Sequence, residues 1–305
     1  MDGSRKAIVA AFLANLGIAI AKLVGFVVTG AASLLAEAIH SLADTANQGL
    51  LFLGERKSRR EPDSTHPFGY GRERYFWAFV VALVLFSGGG LFALFEAEEK
   101  LRHPHELESL SWAVGILLVA FVLEALSLRT AIRESRHAKG NDSWREFVLR
   151  SKNAELPVVL LEDSGALIGL TFALAGVTLA AATGNARFDA LGSLGIGLLL
   201  VVIALTLATK MKSFLIGEAG APEEVAEVRS AIEGHGDVRR LARLRTLQLG
   251  PDELMVIADV EFRPELDGPG VAAAVDDVQA TVRTRVPAAR VVHLEPETAT
   301  APSVA

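Results

Sequence analysis

Cysteine does not occur once in the 305 residues, which removes disulfides and thiolate metal sites together. Any metal this chain binds must be held by nitrogen and oxygen. There is no HExxH run, so the helical zinc-hydrolase signature is missing, and no basic stripe with interleaved aromatics offers a nucleic-acid surface. No repeat with a period of roughly 20 to 50 residues is evident. The apolar N-terminal run has no small-residue cleavage site and carries Asn15 and Lys22 within it, so it reads as a retained segment rather than a signal peptide. The net charge of -6 is a poor guide to partners, because the acidic excess is spread over loops and the C-terminal part.

What the chain has in quantity is apolar sequence. Its hydrophobic fraction is 51% and its mean hydropathy is +0.37, which fits a membrane region with a soluble remainder. A helix needs about 20 apolar residues to cross the hydrocarbon core, and six runs meet that need, at 7–28, 31–53, 76–94, 110–132, 156–182 and 190–209. Orientation follows from Lys and Arg in the short connections. Arg56, Lys57, Arg59, Arg60, Arg72 and Arg74 lie between the second and third runs, and Arg133, Arg136, Lys139, Arg145, Arg150 and Lys152 between the fourth and fifth. The opposite connections hold only Lys100, Arg102 and Arg187. Both termini are therefore expected in the cytoplasm.

After Lys212 the apolar runs give way to mixed, periodic sequence, with a boundary near 217–222. Pro222 opens a helical pattern in which Val225, Val228 and Ile232 share a face. LARLRTLQLG and ELMVIADVEF alternate as strands around the turn GPD, a hairpin signal. A second helix over about 270–286 leads into the strand ARVVHLEP. The expectation is an α-helical membrane protein with six transmembrane helices over 1–216, an α+β cytoplasmic domain of order αββαβ over 217–298, and a disordered tail over 299–305. So small a domain gains from pairing with a second copy to bury a core.

Two acidic clusters interrupt the apolar runs. One is Glu37, His40 and Asp44 in AEAIHSLADTANQGLLFLG; the other is Glu162 and Asp163 in LPVVLLEDSGALIGL. A carboxylate within a span costs roughly 2.5 to 3.5 kcal/mol on insertion scales, so such groups are functional by default. His40 and Asp44 are spaced i, i+4 and share a helix face, with Glu37 on that face as well. That is a two-donor arrangement for one divalent ion, and zinc takes about four N/O ligands. A buried polar network, with Asp44 paired to Lys22, is the structural alternative. Glu162 and Asp163 are adjacent and so point about 100° apart, which makes one a ligand and the other its helper. Glu155 lies on the same face nearer the cytoplasm, either as a carboxylate on the way into the site or as a solvated helix-end charge. Asn15 and Glu124 are candidates to line an ion path, with interhelical hydrogen bonding the alternative for Asn15.

Over nearly its whole length the chain resembles the cation diffusion facilitator family of zinc and related metal transporters. The resemblance rests on the six spans, AEAIHSLAD, HPFGYGRERYFWAF, FDALGSLGIG, LIGEAGAPEE and the αββαβ tail. RERYFWAF and LLED look nearest to the branch containing animal zinc transporter nine. The resemblance implies a homodimer in a membrane, expected to be a bacterial inner membrane, that exchanges cytoplasmic divalent metal for protons by alternating access, with no prosthetic group. It also implies a His-x-x-x-Asp pair in the fifth span, from which this chain departs: with Asp163 as the aspartate, Val159 stands at the histidine position. The expected metal residues are then His40, Asp44, Asp163 and Glu162, with zinc first and manganese or iron(II) as the alternatives an oxygen-rich site would favour.

A second family site takes one aspartate and two histidines before the third span. Here Asp63 and His66 are present but Tyr70 stands at the third position, so DSTHPFGYG reads as a turn. The histidine-rich loop between spans four and five is reduced to His137. In the tail, His235, Asp237, His293 and Glu295 are candidates for a regulatory metal site. An intramembrane metalloenzyme and a non-transporting metal sensor are the competing function classes.

Overall fold

The computed structural model describes residues 32–103 and 110–297 together with scattered helical positions between 9 and 27; side chains at 32–41, 43 and 110–113 lie outside that description. The expected first span at 7–28 is therefore described only in part, and Lys22 and the tail over 299–305 fall outside the described residues.

The chain is mostly helical. In order it forms α1 (Ala32–Ser58), α2 (Glu73–Val84), a π-helical segment (Leu85–Leu91), α3 (Phe92–Arg102), α4 (Leu110–Lys139), α5 (Trp144–Arg150), α6 (Glu155–Thr183) and α7 (Arg187–Ile216). There follow α8 (Pro222–Glu233), β1 (Val238–Gly250), β2 (Glu253–Phe262), α9 (Gly268–Arg285) and β3 (Val291–Pro296). Among the described residues four helical stretches are long and apolar enough to cross a membrane: Glu73–Arg102, Val114–Lys139, Glu155–Thr183 and Arg187–Ile216. The first of these runs continuously through α2, the π segment and α3. The short α5 went unseen in the apolar count. Its signal is a capping box, in which Ser143 Oγ accepts from the Glu146 N–H at 3.2 Å and the Ser143 N–H donates to Glu146 Oε2 at 3.1 Å.

Two compact units divide the chain. One holds 1–57, 74–149 and 154–212; the other holds 58–73, 150–153 and 213–305. Within the first, α4 packs against α6. The π segment holds three consecutive glycines, Gly88, Gly89 and Gly90.

The second unit is built on a three-stranded sheet of order β1-β2-β3, with β1 antiparallel and β3 parallel to β2. Alternation in β2 sends Leu254, Val256, Ala258 and Val260 into a core with Val228 and Ile232 of α8 and Val278 and Val282 of α9. Helix ends are set by local chemistry: the Ala221 N–H donates to Glu224 Oε2 at 3.2 Å ahead of Pro222, and Asp267 Oδ1 caps α9 by accepting from the Gly270 N–H at 2.9 Å. The hairpin over GPD and the αββαβ order are those the alternation pattern predicts.

Candidate metal site

Inside the helical unit lies a cavity of about 180 Å³, room for an ion and several waters. Its walls are largely apolar, from Leu85, Leu117, Leu170, Ile196, Leu200 and Ile203, with Gly88 and Gly89 of the π segment contributing bare backbone. Against that background the polar groups converge: Asp44 and Asn47 from α1, Glu124 from α4, Glu162 and Asp163 from α6, and Asn15. Three of the four sequence-predicted metal residues thus line one space. The fourth, His40, has its backbone in α1, and its side chain, like that of Glu37, lies outside the described residues. Asn15 and Glu124 line the same cavity.

The two adjacent carboxylates of α6 are held by different helices. Glu162, 7% exposed, accepts from Asn47 Nδ2 at 3.2 Å on Oε1 and from Gln48 Nε2 at 2.7 Å on Oε2. Asp163, 2% exposed, accepts from Ser127 Oγ of α4 at 2.8 Å on Oδ2. Both oxygens of Glu162 are therefore engaged by α1, while the described residues engage only one oxygen of Asp163. Hydrogen bonds to charged groups contribute about 1.5 to 3 kcal/mol each, enough to fix these rotamers. Among the described residues, no three His, Asp or Glu side chains are gathered tightly enough to hold one ion. The arrangement is a carboxylate-lined cavity rather than a finished cage.

Asn47, Gln48 and Ser127 escaped the sequence reading. Their signal was available for two of them: Asn47 and Gln48 lie three and four residues after Asp44, on its face of an otherwise apolar helix. The amides donate to Glu162, and their own oxygens, Asn47 Oδ1 and Gln48 Oε1, are buried without a hydrogen-bond partner.

Glu155 requires a correction. It is 1% exposed and is not a solvated helix-end charge: Arg74 of α2 clasps it, with Nε on Oε1 and Nη2 on Oε2 at 2.7 Å. A buried carboxylate needs such a partner, because desolvating an unpaired charge costs several kcal/mol. The DSTHPFGYG turn is built around Asp63, whose Oδ1 accepts from the Thr65 and His66 N–H groups at 2.9 and 2.8 Å and whose Oδ2 accepts from the Tyr70 hydroxyl at 2.6 Å. In the sheet unit, His235 Nδ1 accepts from the Asp237 N–H at 3.3 Å, and His293 is exposed on β3.

Comparison with known proteins adds a separate line of argument. Residues 8–216 match the cation efflux transmembrane domain. The chain is 36% identical over 244 residues to the proton-coupled zinc antiporter SLC30A9, mitochondrial, of Homo sapiens, covering 79% of this chain and 43% of that protein. It is 28% identical over 235 residues to metal tolerance protein C4 of Arabidopsis thaliana, covering 76% and 51% respectively. Against the cation-efflux pump FieF of Klebsiella pneumoniae it is 26% identical over 294 residues, covering 96% and 92%. The chain thus spans less than half the length of its SLC30A9 relative and nearly all of the bacterial pump.

Proposed function

The chain belongs to the cation efflux family and is an integral membrane protein, and on that footing we propose that it exports divalent metal cations, zinc first, from the cytoplasm in exchange for protons by alternating access. The observation that carries the reading is the meeting of Asp44, Glu162 and Asp163 in one small cavity walled by apolar helices. Carboxylates are maintained in such surroundings at a cost, and a divalent cation is the partner that repays it. His40, Asp44, Asp163 and Glu162 are the proposed metal residues. A metal ligand must be deprotonated, so protons and metal compete for the same atoms, and an imidazole with an ordinary pKa near ~6.5 exchanges protons close to neutrality. That competition is what couples the two fluxes.

The same reading comprises six transmembrane helices over 1–216, a ferredoxin-like cytoplasmic domain over 217–298 and a disordered tail. It also comprises a homodimer with both termini in the cytoplasm, set in a bacterial inner membrane, and no prosthetic group. SLC30A9 is mitochondrial and proton-coupled by name, of which the second supports antiport, while the charge asymmetry of the connections supports the cytoplasmic placement of both termini. A second reading, manganese or iron(II) efflux, is favoured by the carboxylates Asp44, Glu162 and Asp163 and by Val159 in place of a second histidine.

The test is zinc flux in proteoliposomes at a fixed zinc gradient, with the pH gradient imposed, collapsed and reversed. Export should follow the proton gradient, and Asp44→Ala should abolish it while size-exclusion behaviour is unchanged. Near-normal flux in the variant defeats the site, and rates indifferent to the pH gradient defeat antiport and leave a uniporter or a sensor.

A further inference from the structure

We propose that Asn47 is a specificity-determining residue whose side-chain carbonyl oxygen joins the carboxylates as a donor to the transported cation and biases the site toward oxygen-preferring ions such as manganese(II). This rests on the efflux reading above. Asn47 is 2% exposed and forms part of the cavity wall. Its Nδ2 donates to Glu162 Oε1 at 3.2 Å, which fixes the sense of the amide, because the carbonyl end would repel that carboxylate. Oδ1 is then buried and accepts nothing from the described residues. Most buried side-chain polar atoms have a partner, and strain, a water or an ion accounts for those that do not.

Position decides what completes this one. Asp44 lies three residues earlier, on the same face of α1 and on the same cavity. A cation drawn to Asp44 arrives one helical turn from the unpartnered oxygen. Gln48 is the internal contrast: it too is fully buried, donates to Glu162 and leaves Oε1 unpartnered, yet it is not part of the cavity wall. A neutral amide carbonyl adds coordination without adding charge. Zinc is satisfied with about four donors and gains little from it, whereas carboxylate, carbonyl and water together suit ions such as manganese that take more oxygens.

The experiment is calorimetric titration of the purified full chain with zinc alone and with manganese alone. Asn47→Leu should weaken manganese binding about tenfold or more, the range typical of perturbing a metal site's supporting groups, and zinc binding markedly less. Asn47→Asp exchanges the donor to Glu162 for a second oxygen, so absolute affinities should move, but the ratio of manganese to zinc binding should stay close to the parent's. Gln48→Met, which loses only a donor to Glu162, should shift both ions equally or leave both unchanged. The proposal is overturned if Asn47→Leu moves both ions by the same factor, as Gln48→Met does, since Asn47 is then only a clamp on Glu162; no shift at all overturns it as well. Should Asn47→Leu fail to fold, Asn47→Ala takes its place, and an equal shift of both ions there overturns the proposal. Asp44→Ala separates the two readings: undiminished binding there sinks the efflux site itself, whereas lost binding there with ion-blind Asn47 variants sinks this inference alone.

Discussion

Asp63 shows how a side chain of the right type at a metal-site position is spent on something else. Its two oxygens take three hydrogen bonds from Thr65, His66 and Tyr70, the His66 and Tyr70 rings stack 4.3 Å apart, and the Arg60 guanidinium lies 4.3 Å from the Tyr70 ring centroid. The Tyr70 hydroxyl, with help from the His66 amide, holds Asp63 below the usual carboxylate range, and Asp63 in turn pushes the Tyr70 phenol up. The signs follow from linkage. A lowered Asp63 stabilises the turn above its unfolded pKa of about 3.9, and this is lost as pH falls through the lower folded value. A raised Tyr70 stabilises it below about 10, and this is lost as pH rises through the higher folded value. Amide hydrogen exchange at Thr65 and His66, corrected for intrinsic rates, should therefore be protected across that window. In Tyr70→Phe the acid loss should begin at higher pH. An acid limb that does not move would mean that the hydroxyl is not what holds the carboxylate.

The π segment illustrates what an element's composition hides. A hydropathy count reads 76–94 as one uniform span, because it weighs apolar content and cannot see hydrogen-bond register. The structure runs the helix on to Arg102 and widens it at Leu85–Leu91, where Gly88 and Gly89 face the cavity. A side-chain carbon on Gly90 would stand 2.8 Å from Val201 Cγ2 and 3.2 Å from its nitrogen, whereas one on Gly88 meets nothing within 4 Å. Gly90→Ala should therefore cost about 1 to 3 kcal/mol of overpacking against α7, while Gly88→Ala should be neutral or gain up to about 1 kcal/mol from helix propensity. Thermal unfolding in detergent measures both, and equal shifts would refute the packing account. What the sequence did disclose was local: strand alternation around GPD, helix caps, and the conspicuous charges Asp44, Glu162 and Asp163 in apolar runs. What it hid was decided by distant neighbours. Glu155 looked solvated because Arg74 lies 81 positions away, and the amides on Glu162 come from more than a hundred residues upstream.

The chain's two units are not successive lengths of sequence, and that has a mechanical consequence. The segment 58–73, which connects α1 with α2, belongs to the same compact unit as the C-terminal sheet. Its seat is the β1–β2 turn: a side-chain carbon on Gly71 would lie 2.7 Å from Leu249 O and from Glu253 Oε2, and 3.0 Å from Gly250 Cα. Two of those three obstacles are backbone and cannot swing aside. α1, which carries Asp44 and Asn47, and α2, which leads directly into the π segment, share this segment as their covalent connection. Gly71→Val should lift the segment from its seat. Trypsin should then cut at Arg59, Arg60 and Arg72 several-fold faster, and on the proposed function metal flux should fall. If protection of those arginines is unchanged in Gly71→Val, the contact at the turn does not anchor the segment; if the segment is released and flux persists, the contact is dispensable for transport.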